Sequence, residues 1–376
     1  MKRTYYFLLL LAAIVQACGK DNAPTGGEGN GEYTIDWNAA ADSSSMSLTD
    51  NFWNASVHYF NSSSDGNSNF QYWPQAHALN VLVDAYKRTG DNTYMSVINQ
   101  WYDGVKTGNG GSFLNHFYDD MEWNALAMLR VYDATGDTRF KTAAETVWSD
   151  IQTGWNTNGG GGIAWNKSEL YSKNACSNGP AAVLAALLYE KFGDESNKEW
   201  AIKIYNWEKE TLFNPASGAV YDNLDAKTGE IKTSWVFTYN QGTFLGAALE
   251  LYKITGDKSY LNDAVKAADY TLNTLVNSND QLLKDEGSGD GGLFKGIFIR
   301  YFSELIKLPD LDSGTKKRYL TFLKHNAEIL WREGTNKQQV FYSTYWKTKP
   351  VSATGLTEQL SGSMLIEAAA LLLVNP

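Results

Sequence analysis

The sequence predicts an all-α fold, an (α/α)6 barrel with six inner and six outer helices, and three observations lead to this prediction. A short motif recurs along the chain, apolar segments alternate with amphipathic ones, and short connections alternate with long ones. The chain has 376 residues, of which 43% are hydrophobic. Because a single simple core stops growing at about 250–300 residues, a ring of repeated units accommodates this length.

The recurring motif is a tyrosine followed by a Gly-Asp pair. It occurs at Tyr86, Tyr132, Tyr189 and Tyr252, with the tyrosines 46, 57 and 63 residues apart. Glycine readily takes the left-handed conformation that ends a helix, and the aspartate after it can cap the next one. The spacing suits a pair of helices with its loops, so the motif predicts a chain of helical hairpins.

The first helix of each hairpin is predicted to be buried on all sides, and the second to be amphipathic. Leu261, Val265 and Leu272, for example, form one apolar stripe at helical spacing. The predicted inner helices are 75–88, 120–134, 180–191, 241–254, 292–307 and 358–374. The predicted outer helices are 43–60, 92–104, 138–152, 197–212, 259–275 and 313–332. Two separate helical bundles are the alternative, although no proline-rich linker divides the chain.

The long connections all precede inner helices. They are rich in glycine, asparagine and aromatic residues and comprise 61–74, 105–118, 153–179, 213–239, 276–291 and 333–357. In a ring of antiparallel hairpins the inner helices point the same way, so these loops meet at one rim. Since function concentrates on long loops held by a rigid scaffold, we expect the active face at the N-terminal ends of the inner helices.

The N-terminal segment has the features of an export signal. Lys2 and Arg3 precede an apolar run, and residues 1–17 are too short to span a bilayer, which needs about 20 residues. The stretch before Cys18 resembles a bacterial lipobox, which predicts lipidation of Cys18; an ordinary signal peptide is the alternative. Residues 18–34 are then a flexible tether, residues 35–376 the folded domain, and the location the cell envelope, at the outer membrane.

The composition excludes several classes of function. The net charge is −10, which opposes binding to nucleic acid, since that binding depends on basic residues. No metal-binding, phosphate-binding or serine-hydrolase motif is present, so we expect no metal and no other cofactor. We expect a monomer. A low charged fraction (20%) with many aromatic residues (14%) agrees with carbohydrate recognition.

Asp119 and Asp120 are the most distinctive residues of the predicted active rim. One interpretation is structural, because Asp119 and Glu122 have the spacing of a capping box at a helix start. The other is catalytic, because two carboxyl groups in a cleft can divide the cleavage of a glycosidic bond between them. The sequence alone leaves both open. Candidate sugar contacts on the same rim are Trp73, Trp123, Asn178, Tyr239, Asn240 and Gln241.

Three motifs at the starts of successive inner helices resemble glycoside hydrolase family 76, the bacterial α-1,6-mannanases. They are 118–123 (YDDMEW), 173–180 (KNACSNGP) and 239–242 (YNQG). The resemblance extends over roughly residues 35–376. It implies an (α/α)6 barrel and retaining endo-hydrolysis of α-1,6-linked mannan. It also implies that Asp119 is the nucleophile and Asp120 the acid/base.

Two other functions remain open at this stage. A non-catalytic glycan-binding lipoprotein could use the same scaffold, and an (α/α)6 glycosidase could act on another α-mannoside or on a hexuronide. The intact Asp119-Asp120 pair argues against a protein that only binds, because binding has no need of two adjacent acids.

Overall fold

The computed structural model describes residues 33–374. Residues from Ile35 onward form one compact unit. The predicted signal segment 1–17, the lipidation site Cys18 and nearly all of the predicted tether lie outside the described residues. Within the described residues, no helix has the length and hydropathy needed to cross a membrane.

Twelve α-helices make up the described chain. The even-numbered ones are α2 (Tyr72–Thr89), α4 (Tyr118–Thr135), α6 (Ala175–Phe192), α8 (Thr238–Thr255), α10 (Gly291–Lys307) and α12 (Leu356–Leu373). The odd-numbered ones are α1 (Trp37–Phe52), α3 (Asn92–Gly108), α5 (Thr138–Ile151), α7 (Glu195–Thr211), α9 (Lys258–Thr274) and α11 (Ser313–Ile329).

The even-numbered helices form the inner ring. Each packs on the next, from α2 through α12, and α12 packs back on α2. The odd-numbered helices pack on the outside of their inner partners, and α1 closes the N-terminal gap against α12. The predicted (α/α)6 barrel is confirmed, and the alternative of two separate bundles is wrong.

Small residues allow the inner helices to approach closely. A methyl group on Gly242 of α8 would lie 2.7 Å from the Cα of Phe298 in α10, and one on Gly296 of α10 would lie 2.7 Å from the Cα of Ser361 in α12. Backbones at this separation tolerate only glycine. The predicted mixture of apolar and small residues therefore corresponds to real contacts between neighbouring inner helices.

Ion pairs fasten the end of the ring opposite the long loops. Arg88 of α2 pairs with Glu367 of α12 at 2.9 Å, and this pair joins the first and last inner helices. Asp84 of α2 accepts hydrogen bonds from Arg130 of α4 and Arg300 of α10. These partly buried pairs link four inner helices at their C-terminal ends.

The two kinds of helix begin differently. Every outer helix has an aspartate N-cap whose side chain accepts a backbone N–H, at Asp36, Asp91, Asp137, Asp194, Asp257 and Asp312. No inner helix has a side-chain cap. The Gly-Asp motif thus works as predicted, with Gly90, Gly136, Gly193 and Gly256 left-handed at the helix ends. The inner helices have no capping side chain at their N-terminal ends, so their first turns are available to the active rim.

Some predicted boundaries are wrong. The predicted outer helix 43–60 ends at Phe52, because 53–60 form a hairpin of β1 (Trp53–Asn54) and β2 (Tyr59–Phe60). Five inner helices begin two to five residues earlier than predicted, α6 at Ala175 for example. A second sheet on the active rim pairs β3 (Ser172–Asn174), β4 (Asn223–Asp225) and β5 (Glu230–Ile231) in antiparallel order.

Candidate active site

A cavity of about 290 Å³ opens at the N-terminal ends of the inner helices, where the long loops meet. Its walls come from α2, α4, α6, α8, α10 and the loops before them. The lining is aromatic and acidic with one thiol and one amide: Trp73, Phe117, Asp119, Asp120, Trp123, Trp165, Asn174, Cys176, Tyr239, Asp290 and Phe294. Five of the eight predicted site residues on the rim are among them.

The two adjacent aspartates lie in the first turn of α4. The N-cap of this helix is Phe117, with extended backbone and no side-chain cap. Tyr118 N–H donates instead to the carbonyl of Trp165 in the loop before α6, at 3.0 Å. The capping-box interpretation is wrong, because Asp119 stands inside the helix and Glu122 is fully buried with neither carboxyl oxygen hydrogen-bonded.

Burial raises the pKa of both aspartates. The pKa of Asp119 rises to about 7, although the Cys176 thiol, the backbone amides of the first turn and the Trp165 indole face its carboxyl group and lower the pKa. The pKa of Asp120 is raised well above its ordinary value by burial, and the charges of Asp119 and Asp290 raise it further. The environment therefore favours one proton on the pair, held by Asp120.

Asp290 is a third carboxylate on the cavity that the sequence-based site prediction missed. It stands at the N-cap of α10, and its Oδ1 accepts the indole N–H of Trp73 at 3.1 Å. Its charge acts on Asp120, as the pKa of that group indicates. The available signal was its place in Asp290-Gly291-Gly292, directly before a predicted inner helix.

Aromatic rings form two walls of the cavity. Trp73 and Trp123 both contact His77, with ring centroids 5.5 and 5.1 Å from the imidazole. On another part of the lining, Tyr239 of α8 stacks on Phe294 of α10, with ring centroids 3.9 Å apart and ring planes at 14°. Such flat apolar faces, in a cavity that carboxyl groups also line, suit a sugar ring that is apolar on its faces and polar at its edge.

Cys176 contributes to the site, whereas the site residues predicted from the sequence did not include it. It is buried and lines the cavity wall formed by the start of α6. Its thiol faces Asp119 and lowers the pKa of that carboxyl group. The helix boundary explains the difference, because α6 begins at Ala175 and places Cys176 in its first turn.

The three predicted amide contacts lie outside the cavity lining. Asn178 and Gln241 are fully buried, and each spans the backbone of a preceding loop. Asn178 accepts from the N–H of Ile163 at 2.8 Å and donates to its carbonyl at 3.0 Å, and Gln241 does the same at Val220. Asn240 is also buried and donates to Asp222 at 2.8 Å. In this structure these amides hold loops and lie outside the cavity lining, and their contact with a sugar stays a prediction.

Amide side chains of two other inner helices hold a preceding loop in the same way. Gln75 of α2 bonds both backbone groups of Phe60, and Gln359 of α12 donates to the carbonyl of Val340. An amide in the first two turns of an inner helix thus secures the loop that precedes it. The signal in the sequence was the recurrence of Asn or Gln at this position.

Replacing Asn178 with alanine should lower the free energy of unfolding by at least about 1 kcal/mol, because two backbone groups of Ile163 lose their buried partner. The measurement is urea denaturation, with KM for the substrate measured on protein that is still folded. Trp73→Ala is the matched comparison on the cavity wall and should raise KM instead. A rise in KM for Asn178→Ala with unchanged stability would support the sugar-contact prediction instead.

Comparisons with known proteins agree with this geometry. The family model for glycosyl hydrolase family 76 matches residues 36–375. The chain belongs to glycosyl hydrolase family 76. It is thereby a glycoside hydrolase, and the resemblance noted from the three sequence motifs is confirmed.

Solved structures of the family are similar over nearly the whole domain. The GH76A α-1,6-mannanase of Salegentibacter sp. HEL1_6 is 43% identical, with a TM-score of 0.87, over 90% of this chain and 100% of that one. An inactive variant of that enzyme, in which two consecutive aspartates are replaced by alanine, is known in complex with α-1,6-mannotetrose; it is 42% identical with the same TM-score and coverage.

A curated relative in a fungus is more distant. A putative mannan endo-1,6-alpha-mannosidase of Schizosaccharomyces pombe is 24% identical over 325 residues, which cover 79% of this chain and 73% of that protein.

Among the described residues of this chain, no group of three or more His, Cys, Asp and Glu side chains could hold a metal ion.

Proposed function

We propose that this family 76 chain is a retaining endo-α-1,6-mannanase, with Asp119 as nucleophile and Asp120 as acid/base. The observation that carries the proposal is the pair of adjacent carboxyl groups on one aromatic cavity. Asp119-Asp120 is the only pair of consecutive aspartates in the sequence. In the Salegentibacter enzyme, the variant without two consecutive aspartates is called inactive and holds an α-1,6-linked mannose oligomer.

In the first step, the ionised Asp119 carboxylate attacks the anomeric carbon of the mannose unit in the cavity. The bond from that carbon to the glycosidic oxygen breaks, and Asp120 gives its proton to this oxygen as the next sugar leaves. The product is a covalent ester between the sugar and Asp119. The surroundings of the two groups support this division, because hydrogen-bond donors that lower the pKa face the Asp119 carboxyl group, whereas burial and the charges of Asp119 and Asp290 raise the pKa of Asp120.

In the second step, Asp120 acts as a base. Now ionised, it takes a proton from a water molecule, whose oxygen attacks the same anomeric carbon and releases Asp119. Two inversions retain the configuration. Burial and the charges of Asp119 and Asp290 together favour the return of a proton to Asp120, which prepares the pair for the next cycle.

The test is incubation of the purified chain with linear α-1,6-mannan. We expect new reducing ends, a ladder of oligosaccharides of intermediate length, and an α-anomeric product seen first by proton NMR. Release of single mannose units would indicate exo-action, and a β-anomer would contradict the nucleophile. Binding without any new reducing ends would favour the non-catalytic lipoprotein, and activity only on a hexuronide or another α-mannoside would favour a different substrate.

We also propose that the chain is exported and anchored as a lipoprotein of the cell envelope, at the outer membrane, and that it is a monomer. The apolar segment after Lys2 and Arg3, the position of Cys18 and the polar composition of 19–34 support the anchor. Cys18→Ala should move the protein from the membrane fraction to the soluble fraction and abolish labelling by a fatty-acid analogue. Unchanged membrane association would contradict the anchor, and light scattering tests the monomer.

A further inference from the structure

The sheet β3–β4–β5 continues the active cavity along the rim. Asn174, at the end of β3, lines the cavity and pairs with Asn223 of β4. Residues directly opposite each other in an antiparallel pair have their side chains on the same face of the sheet. The face that includes Asn174 is therefore polar throughout: Ser172, Asn174, Asn223, Asp225 and Glu230.

The other face of this sheet is turned to the protein. Lys173 is fully buried, with its ammonium group donating to the carbonyl of Gly162 at 2.6 Å, and Leu224 is buried. One face of this sheet is therefore buried and the other is polar, as in other half-buried sheets. The polar face is the one that meets the cavity wall.

Asn223 has an unused hydrogen-bonding group on this polar face. Its side-chain carbonyl oxygen is buried and has no hydrogen-bond partner among the described residues. Buried polar atoms in folded proteins nearly always have a partner, either in the protein or outside it. If the amide group turns outward, a hydroxyl group of a ligand that leaves the cavity over Asn174 would supply one.

Trp235 lies beside Asp222, on the side away from the start of α6. Ala175 N–H donates to the carbonyl of Asp222, and Asp222 N–H donates to the carbonyl of Trp235. Two steps of strand spacing place Trp235 about 10 Å from the start of α6 and hence from the cavity wall. Trp235 N–H donates to Lys232 in the turn after β5, so the backbone fixes its position.

The indole ring of Trp235 is available for contact. Trp235 is 50% exposed, whereas the other twelve tryptophans of the chain are buried or partly buried. No ring contact involves it among the described residues, although aromatic contacts are frequent around the cavity. Single exposed apolar residues are common on a monomer, but tryptophan is enriched at binding surfaces, where its large ring supplies apolar contact area.

We propose that Asn174, Asn223 and Trp235, here called the rim strip, form a binding subsite for mannose units of a long α-1,6-mannan outside the catalytic cavity. The Trp235 ring stacks on the apolar face of one sugar, and the two amides bond hydroxyl groups of the units between it and the cavity. The inference rests on the proposed mannanase function and adds to it a preference for polymer over short oligosaccharides.

The experiment compares Trp235→Ala with Trp235→Phe and with Leu371→Ala, an exposed apolar residue near the end of α12, on the opposite rim. KM for α-1,6-mannan should rise about tenfold for Trp235→Ala, as for a well-packed aromatic anchor, and stay within about twofold for α-1,6-mannotriose. Trp235→Phe should recover most of the loss, and Leu371→Ala should behave as wild type.

An equal change for polymer and trisaccharide, or no change for either, would overturn the rim strip. Affinity electrophoresis of the same variants in gels containing α-1,6-mannan measures binding without cleavage. If the wild type cleaves neither substrate, the proposed hydrolase activity fails. The electrophoresis then still decides the rim strip, because Trp235→Ala must migrate faster than wild type and Leu371→Ala must not.

Discussion

Replacement of either catalytic aspartate by asparagine is expected to lower kcat on α-1,6-mannan by at least about 10³-fold. Asparagine at 119 cannot form the sugar ester, and asparagine at 120 cannot give a proton to the leaving oxygen. Neither change should destabilise the fold, because burial already disfavours the ionised forms of both groups. Initial rates of reducing-end formation, with circular dichroism of each variant, make the measurement.

The two variants should differ with an activated substrate. An aryl mannoside whose leaving group is a weak base needs no proton in the first step, so Asp120→Asn should form the sugar ester while Asp119→Asn should not. Mass spectrometry of the trapped ester distinguishes them. Asp91→Asn is the control, because asparagine keeps the oxygen that caps α3 by accepting from Thr93 N–H. Wild-type rates for Asp119→Asn and Asp120→Asn would remove both from the mechanism.

The ring and its active rim could be predicted because their signals are local and repeated. Gly136-Asp137, for instance, ends one helix with a left-handed residue and caps the next, and this needs no tertiary contact. The alternation of short and long connections then determines which rim has the long loops. The position of Asp119 and Asp120 at that rim follows from the same alternation.

The starts of the inner helices could not be predicted from apolar patterns. At Tyr118 the first helical N–H donates to a loop carbonyl rather than to a capping side chain, so no cap marks the boundary. The functions of Asn178 and Gln241 depended on Ile163 and Val220, which lie 15 and 21 residues earlier in the chain. An amide that holds a loop and an amide that binds a hydroxyl look alike until that loop is placed.

Two buried glutamates should make the stability of the protein fall as pH rises. Glu208 of α7 is fully buried, and neither of its carboxyl oxygens has a hydrogen-bond partner. Burial raises its pKa well above the ordinary value, and burial together with the charge of Asp119 does the same for Glu122. The folded chain therefore keeps protons that the unfolded chain loses above about pH 4.5, and unfolding releases them.

The Glu208→Gln variant has no titratable proton at this position. Its free energy of unfolding should therefore rise relative to that of the wild type as the pH increases. The difference should grow by about 1.4 kcal/mol per pH unit, from the ordinary pKa of a glutamate up to the raised one in the folded state. Urea denaturation from pH 4 to pH 8 measures it, with Glu199→Gln on the exposed face of the same helix as control. Parallel curves for wild type and Glu208→Gln would mean that Glu208 finds a partner which stabilises its charge. Burial and the charge of Asp119 also raise the pKa of Glu122, so Glu122→Gln keeps a neutral side chain there and should leave kcat close to wild type.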